Sequence, residues 1–144
     1  MTIVLAFGTF DLLHPGHLSY LKQAREQGDK LIVIIATDAN VKKIKGKKPV
    51  NNQAHRKELV KALKIVDDAF IGEEEDMIKS VEKVKPDVVV LGYDQQPVNI
   101  ELQKTFDEKR IKAKIFRAKP FNEKQFKSSK IKKKVVDSHE NHHK

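Results

Sequence analysis

Cysteine is absent from the 144 residues, which removes disulfide staples, thiolate nucleophiles and zinc–thiolate centres from consideration. A chain that needs no disulfides suits a soluble intracellular protein, and a cytoplasmic location is the expectation. Tryptophan is also absent, and the aromatic side chains are limited to two tyrosines and seven phenylalanines. With so few stacking groups and no nucleic-acid-binding motif, no nucleic-acid partner is expected despite a formal net charge of +9. No apolar run approaches the roughly 20 residues that a membrane-spanning helix requires, so no membrane partner is expected either. No basic segment precedes the short apolar run at the start, and Gly8 and Asp11 interrupt it, so a secretory signal is not expected. Internal repeats and linkers are not visible. A single domain over residues 1–136 is expected, followed by a polar, disordered tail at 137–144 that carries His139, His142 and His143.

What is present is an alternation of short β-branched runs and helical patterns. Apolar runs at 3–7, 31–36, 69–71, 88–91 and 115–116 have the length and composition of strands buried on both faces of a parallel sheet. Between them, helices are predicted near 15–27, 38–45, 53–63, 74–84 and 99–109, with a last one near 128–136. Leu18, Leu21 and Ala24 fall on one face of the first helix, and Leu59, Val60 and Leu63 on one face of the third, as core stripes do. Strands alternating with helices argue for an α/β fold with a Rossmann-like, doubly wound five-stranded parallel sheet. With strand order 3-2-1-4-5 the chain reverses direction of growth between the first and fourth strands, and ligands of such sheets bind at the carboxyl ends there. The two loops leaving those strands begin at Gly8 and Gly92, so topology selects one site.

The first of these loops, Gly8-Thr9-Phe10-Asp11-Leu12-Leu13-His14-Pro15-Gly16-His17, has the composition of a phosphate-handling turn. Small residues let backbone N–H groups approach an anion, and the start of the following helix adds about half a positive charge aimed at it. His14 and His17, three residues apart, project from the same side of the first helical turn. The lysines at 42–48, 57–64, 79–85 and 124–134 are dispersed along the chain. Part of that positive excess serves a site that gathers several phosphate groups.

This decapeptide resembles the HxGH signature of the nucleotidyltransferase superfamily, the cytidylyltransferase-like group that also holds pantetheine-phosphate and nicotinamide-nucleotide adenylyltransferases and the archaeal FAD synthases. Three further segments extend the resemblance to about Val136. Lys45-Gly46-Lys47-Lys48-Pro49, with His55-Arg56-Lys57-Glu58-Leu59-Val60, looks like the segment that supplies a lysine to the phosphates and an arginine to the site. Between Lys45 and Lys47 the sequence does not choose. Leu91-Gly92-Tyr93-Asp94-Gln95 is closer to the Leu-Gly-x-Asp-Gln loop of archaeal FAD synthases than to the Gly-Asp-Asp-Trp loop of bacterial glycerol-3-phosphate cytidylyltransferases. Ser128-Ser129-Lys130-Ile131 resembles the closing Ser/Thr-Ser/Thr-Lys-Ile element, while the longer Arg-Thr-x-Gly-Ile-Ser-Thr-Thr run of cytidylyltransferases is missing and Arg117 is the candidate stand-in for its arginine.

The resemblance implies nucleotidyl transfer, in which an acceptor phosphate attacks the α-phosphorus of a nucleoside triphosphate and pyrophosphate leaves. Its implied catalytic residues are His14, His17, Lys45, Lys47 and Arg56. Gly8, Thr9, Phe10, His14, His17, Gly92, Asp94, Ser128 and Ser129 would bind the nucleotide, and Asp11 would orient the acceptor or the metal. Mg²⁺ is the expected cofactor, held largely by the triphosphate and water, and no residue is assigned to it as a protein ligand. ATP as donor and FMN as acceptor are the favoured pair, which would make the chain an FMN adenylyltransferase. The alternatives are a cytidylyltransferase using CTP with glycerol 3-phosphate or a similar polyol or sugar phosphate, and a nucleotide-binding regulatory module without catalysis. Relatives often form dimers, which makes a homodimer the oligomeric expectation.

Overall fold

The computed structural model describes residues 1–72, 77–93, 95 and 99–120. The expected strands form at β1 (Ile3–Gly8), β2 (Lys30–Ile35), β3 (Asp68–Ile71), β4 (Val88–Leu91) and β5 (Lys114–Arg117). They pair in parallel as one five-stranded sheet in the order β3-β2-β1-β4-β5, the order expected from the alternation. The helices are α1 (Pro15–Arg25), α2 (Asp38–Lys45), α3 (Gln53–Lys61), α4 (Met77–Val84) and α5 (Asn99–Glu108). The expected last helix, the start of the fourth at residue 74 and the domain limit at 136 lie outside the described residues.

Because side chains alternate across a strand, each central strand feeds two cores. Val4 and Ala6 of β1 join Leu31, Val33, Leu21, Ala24 and Val60 on one face. Leu5 and Phe7 join Ile32, Ile34, Val89, Val81, Leu102 and Phe106 on the other. Burial on both sides explains why these strands read as unbroken apolar runs. Among the described residues no helix is long and apolar enough to cross a membrane.

Helix ends follow local chemistry. Thr37 caps α2 by accepting from the Asn40 N–H at 3.1 Å, and Asn52 caps α3 by accepting from the His55 N–H at 2.9 Å. Gly46 closes α2 with φ +80°, a left-handed conformation in which a side chain would be strained. Helix α1 stops at Arg25, two residues before the expected end, where the Gln27 and Gly28 N–H groups reach back only three residues, to the Ala24 and Arg25 carbonyls at 3.0 and 3.3 Å.

The sheet splits where the site must be. β1 pairs with β2 along its whole length, from Ile3↔Lys30 to Gly8↔Ile35. It pairs with β4 only from Val4↔Val88 to Ala6↔Val90. The Phe7 N–H and C=O, next in line to pair with β4, turn instead to side chains that enter the gap. The Tyr20 hydroxyl accepts from the Phe7 N–H at 3.1 Å and donates to the Val90 carbonyl at 2.7 Å. Gln95 Nε2 donates to the Phe7 carbonyl at 3.3 Å. The crevice is therefore held open by satisfied polar groups rather than by orphaned backbone.

Candidate active site

The turn after β1 is built around Phe10, which sits at φ +51°. Such a conformation is costly for a residue with a side chain and persists only where packing imposes it. Here the ring is buried, stacked on Tyr20 at 6.2 Å between centroids and edge-on to His17 at 5.5 Å. Gly8 makes room for it, since a Cβ at Gly8 would lie 2.5 Å from the ring. Phe10 thus acts as the floor of the site through its side chain.

His14 and His17 hold each other. His14 is the N-cap of α1, and its Nδ1 accepts from the Gly16 N–H at 3.0 Å. His17 Nδ1 in turn accepts from the His14 backbone N–H at 3.2 Å, completing a capping box in which imidazoles replace the usual hydroxyl and carboxylate. The two rings lie 4.0 Å apart at an angle of 29°. Since each Nδ1 is an acceptor, the hydrogen bonds assign the proton of each neutral ring to Nε2 and leave Nε2–H as the donating edge. Burial lowers the pKa of His14. Burial, with the neighbouring His14 and Lys45, lowers that of His17 to about 4. Both rings are therefore neutral donors near pH 7, poorly suited to abstracting protons through Nδ1 and well suited to hydrogen-bonding an anion.

The charge of Lys45, in the last turn of α2, reaches the His17 ring. Lys45 and Lys47 are both exposed, on either side of the Gly46 turn.

Arg56, expected among the catalytic groups, has no exposed surface. Its Nε donates to the Asn51 carbonyl at 2.9 Å, Nη1 to the Thr9 carbonyl at 2.8 Å, and Nη2 to the Asp38 carboxylate at 2.7 Å. The guanidinium joins the phosphate turn, the loop before α3 and the start of α2 from beneath. Its placement is that of a positioning residue, since a buried fork spent on three protein oxygens does not reach a substrate. Asp38, which sequence reasoning missed, completes this joint; burial acts to raise its pKa, but the hydrogen bonds from Arg56 and the Gln53 N–H and the charges of Arg56 and Lys48 outweigh it and lower the pKa. An acid at the first position of a helix reads as ordinary capping, so the sequence carried no signal for it.

Asp11 is similarly engaged. Its two carboxylate oxygens accept from the Val50 and Asn51 N–H groups, each at 2.7 Å, and the Asn51 side chain donates back to the Asp11 carbonyl at 2.9 Å. These bonds tie the phosphate turn to the loop before α3, with its carboxylate turned to backbone rather than to an acceptor or a metal.

Across the crevice, Gly92 follows β4 and forms a turn with Gln95, whose N–H reaches the Gly92 carbonyl at 3.1 Å. Gly92 therefore lies at the switch point as expected, whereas Asp94, Ser128 and Ser129 fall outside the described residues. Tyr20 is a further residue that sequence reasoning did not assign to the site, and Gln95 was read only as part of its loop. The only available signal for Tyr20 was its spacing of three from His17 along α1.

Comparison with known proteins follows this geometry. The family profile described as cytidylyltransferase-like matches residues 5–134. An FAD synthase from Thermoplasma volcanium is 40% identical over 137 residues, covering 95% of this chain and 96% of its own. One from Aciduliprofundum boonei is 44% identical over 117 residues, covering 81% and 78% respectively. Among solved structures, a protein from Thermoplasma volcanium described as a lipopolysaccharide core biosynthesis protein superposes with a TM-score of 0.81 at 42% identity, over 85% of this chain and 99% of that one. A pantoate-beta-alanine ligase from Francisella tularensis, with a TM-score of 0.65 at 18% identity over 92% of this chain and 65% of its own, shares the fold. Motif, topology and relatives agree, and the chain belongs to the cytidylyltransferase-like family of nucleotidyltransferases, alongside the FAD synthases.

Proposed function

We propose that the protein is an FMN adenylyltransferase, transferring AMP from ATP to the phosphate of FMN to give FAD and pyrophosphate. The observation that carries this reading is the pair of neutral imidazoles fixed by their Nδ1 atoms, each presenting Nε2–H. Their neighbours in the comparisons, FAD synthases over most of the chain, support the choice of substrates.

A phosphate oxygen of FMN attacks the α-phosphorus in line, forming the new P–O bond as the bond to pyrophosphate breaks. Negative charge gathers on the α-phosphoryl oxygens and on the leaving group. His14 and His17 donate to the α-phosphoryl oxygens, and because they are already aligned by the capping box no reorganisation is needed as charge develops. Lys45 balances the leaving pyrophosphate. Leu12 and Val50, exposed apolar side chains beside the two ends of the Asp11 tie, offer the flavin ring an apolar face.

Among the described residues no group of three or more His, Cys, Asp and Glu could hold a metal ion. Mg²⁺ would arrive on the triphosphate, with most of its coordination from phosphate oxygens and water. When bound, Mg²⁺ neutralises charge on the phosphates.

Pyrophosphate release measured across pairs of ATP or CTP with FMN or glycerol 3-phosphate tests the reading. Release with ATP and FMN alone is the expected outcome. Turnover of CTP with glycerol 3-phosphate and none of ATP with FMN would replace it with the cytidylyltransferase reading.

A further inference from the structure

The loop that faces the phosphate turn across the crevice is gripped at both ends by one side chain. The register of β4 with β5 places Arg117 beside Leu91, so its side chain reaches the residues that follow. Arg117 Nη1 donates to the Gly92 carbonyl at 2.7 Å and to the Gln95 carbonyl at 2.6 Å. Gln95 adds a second grip. Its Oε1 accepts from the Gly92 N–H at 3.0 Å while its Nε2 donates to the Phe7 carbonyl of β1 at 3.3 Å. Both ends of the Gln95 amide are therefore spent on backbone, and it does not read a base itself.

We propose that Arg117 and Gln95 are positioning residues that set the nucleotide preference of the site by fixing where Gly92 and Gln95 stand after β4. The proposal rests on the nucleotidyl-transfer reading, with the nucleotide lying across the crevice between β1 and β4. The triphosphate is common to every donor nucleotide and is met by His14, His17 and Lys45, on α1 and α2. Discrimination between bases must come from elsewhere, and the turn after β4 is the other wall of the crevice. That wall can reject a wrong base only if it keeps its position, since a relaxed loop gives way to the competitor. One charged nitrogen donating to the carbonyls of both Gly92 and Gln95 supplies that rigidity. The sequence explains the economy of the arrangement: Arg117 ends β5, the neighbour of β4, and needs no extra element to arrive there.

The test is steady-state kinetics of Arg117→Met, Arg117→Lys and Gln95→Glu with ATP and CTP, each with FMN, beside thermal melts. In Arg117→Met, kcat/KM for the preferred nucleotide should fall by about tenfold or more while that for the other changes little, so the preference narrows. Arg117→Lys should restore part of it, as the ammonium keeps the charge and its donors but lacks the planar guanidinium that fixes their direction. Gln95→Glu, which keeps the acceptor for the Gly92 N–H but puts a charged acceptor in place of the donor to the Phe7 carbonyl, should narrow the preference in the same direction. The KM for FMN should stay within about twofold. A preference unchanged in Arg117→Lys and Gln95→Glu, or equal losses for ATP, CTP and FMN, would overturn the inference even if Arg117→Met fails to fold. Which nucleotide the wild-type chain prefers is a separate outcome: preference for CTP would contradict the adenylyltransferase reading and leave the narrowing to be read in the same way.

Discussion

Gly16 matters because of what lies over it. A Cβ there would come within 2.7 Å of His14 Cε1 and 3.0 Å of Nδ1, so only glycine lets the ring fold onto its own helix start. Gly16→Ala should weaken the cap by about 0.5–2 kcal/mol, and displacing the His14 donor should lower kcat by about tenfold or more. Thermal melts and kinetics check the two effects separately; a variant with a normal kcat would show that the cap geometry is not needed for the chemistry. His17 predicts a pH dependence of stability. Its folded pKa, near 4, lies below the ordinary 6.5, so between those values the unfolded chain binds the more protons. Its contribution is then fully present above about pH 6.5 and is lost as pH falls toward 4. Urea midpoints should rise with pH across that window, and less steeply in His17→Asn, which keeps an acceptor for the His14 N–H. Equal slopes in the two proteins would show that His17 is not desolvated in the fold. The importance of the histidines and glycines was legible from the motif, but the exchange of backbone bonds between His14 and His17 was not. Spacing puts the rings on one side of the helix without saying which nitrogen accepts.

The elements and their order were readable because buried parallel strands have a distinctive composition, whereas the stripe expected on the third helix held only in part: Val60 is buried, Leu59 is exposed and Leu63 lies past the end of α3. What could not be read was how the sheet comes apart at the first and fourth strands, since this depends on which side chain enters the gap. Tyr20 does so, and burial raises the pKa of its hydroxyl further, with no prospect of ionisation near neutrality. Tyr20→Phe should leave the Phe7 N–H and the Val90 carbonyl without that partner and cost about 1–3 kcal/mol. An unchanged urea midpoint would show that the split does not depend on this hydroxyl. Arg56 is the clearest case of a residue whose importance was visible and whose role was not. A helix-surface arginine and a buried one look the same in sequence, and only the approach of Thr9, Asn51 and Asp38 decides. Arg56→Met should destabilise the fold by about 1–3 kcal/mol by taking the guanidinium from Asp38 and leaving the Thr9 and Asn51 carbonyls without that donor. Arg56→Lys should not restore it, because an ammonium cannot reproduce the fork. If Arg56→Met instead melted normally and lost only activity, the guanidinium would have to be returned to the reacting groups.

At the scale of the whole molecule, the fold brings two independent grips to one crevice. The capping box of α1 holds two neutral donors on the phosphate side, and the clamp on the turn after β4 shapes the opposite wall. Strand order alone accounts for their meeting, because β1 and β4 are neighbours in the sheet although 84 residues separate Ile3 from Asp87, whose carboxylate accepts from the Ile3 N–H. These donors act in adenylyl transfer to FMN. The most direct test of this follows FAD and pyrophosphate together, from ATP and FMN, in the wild-type chain and in His17→Ala. The prediction is one pyrophosphate released for each FAD formed, with kcat lower by about 10²–10³ in the variant and the KM for ATP changed far less. FAD formation at a near-normal kcat in His17→Ala, or no FAD from the wild-type chain while CTP and glycerol 3-phosphate are consumed, would contradict it.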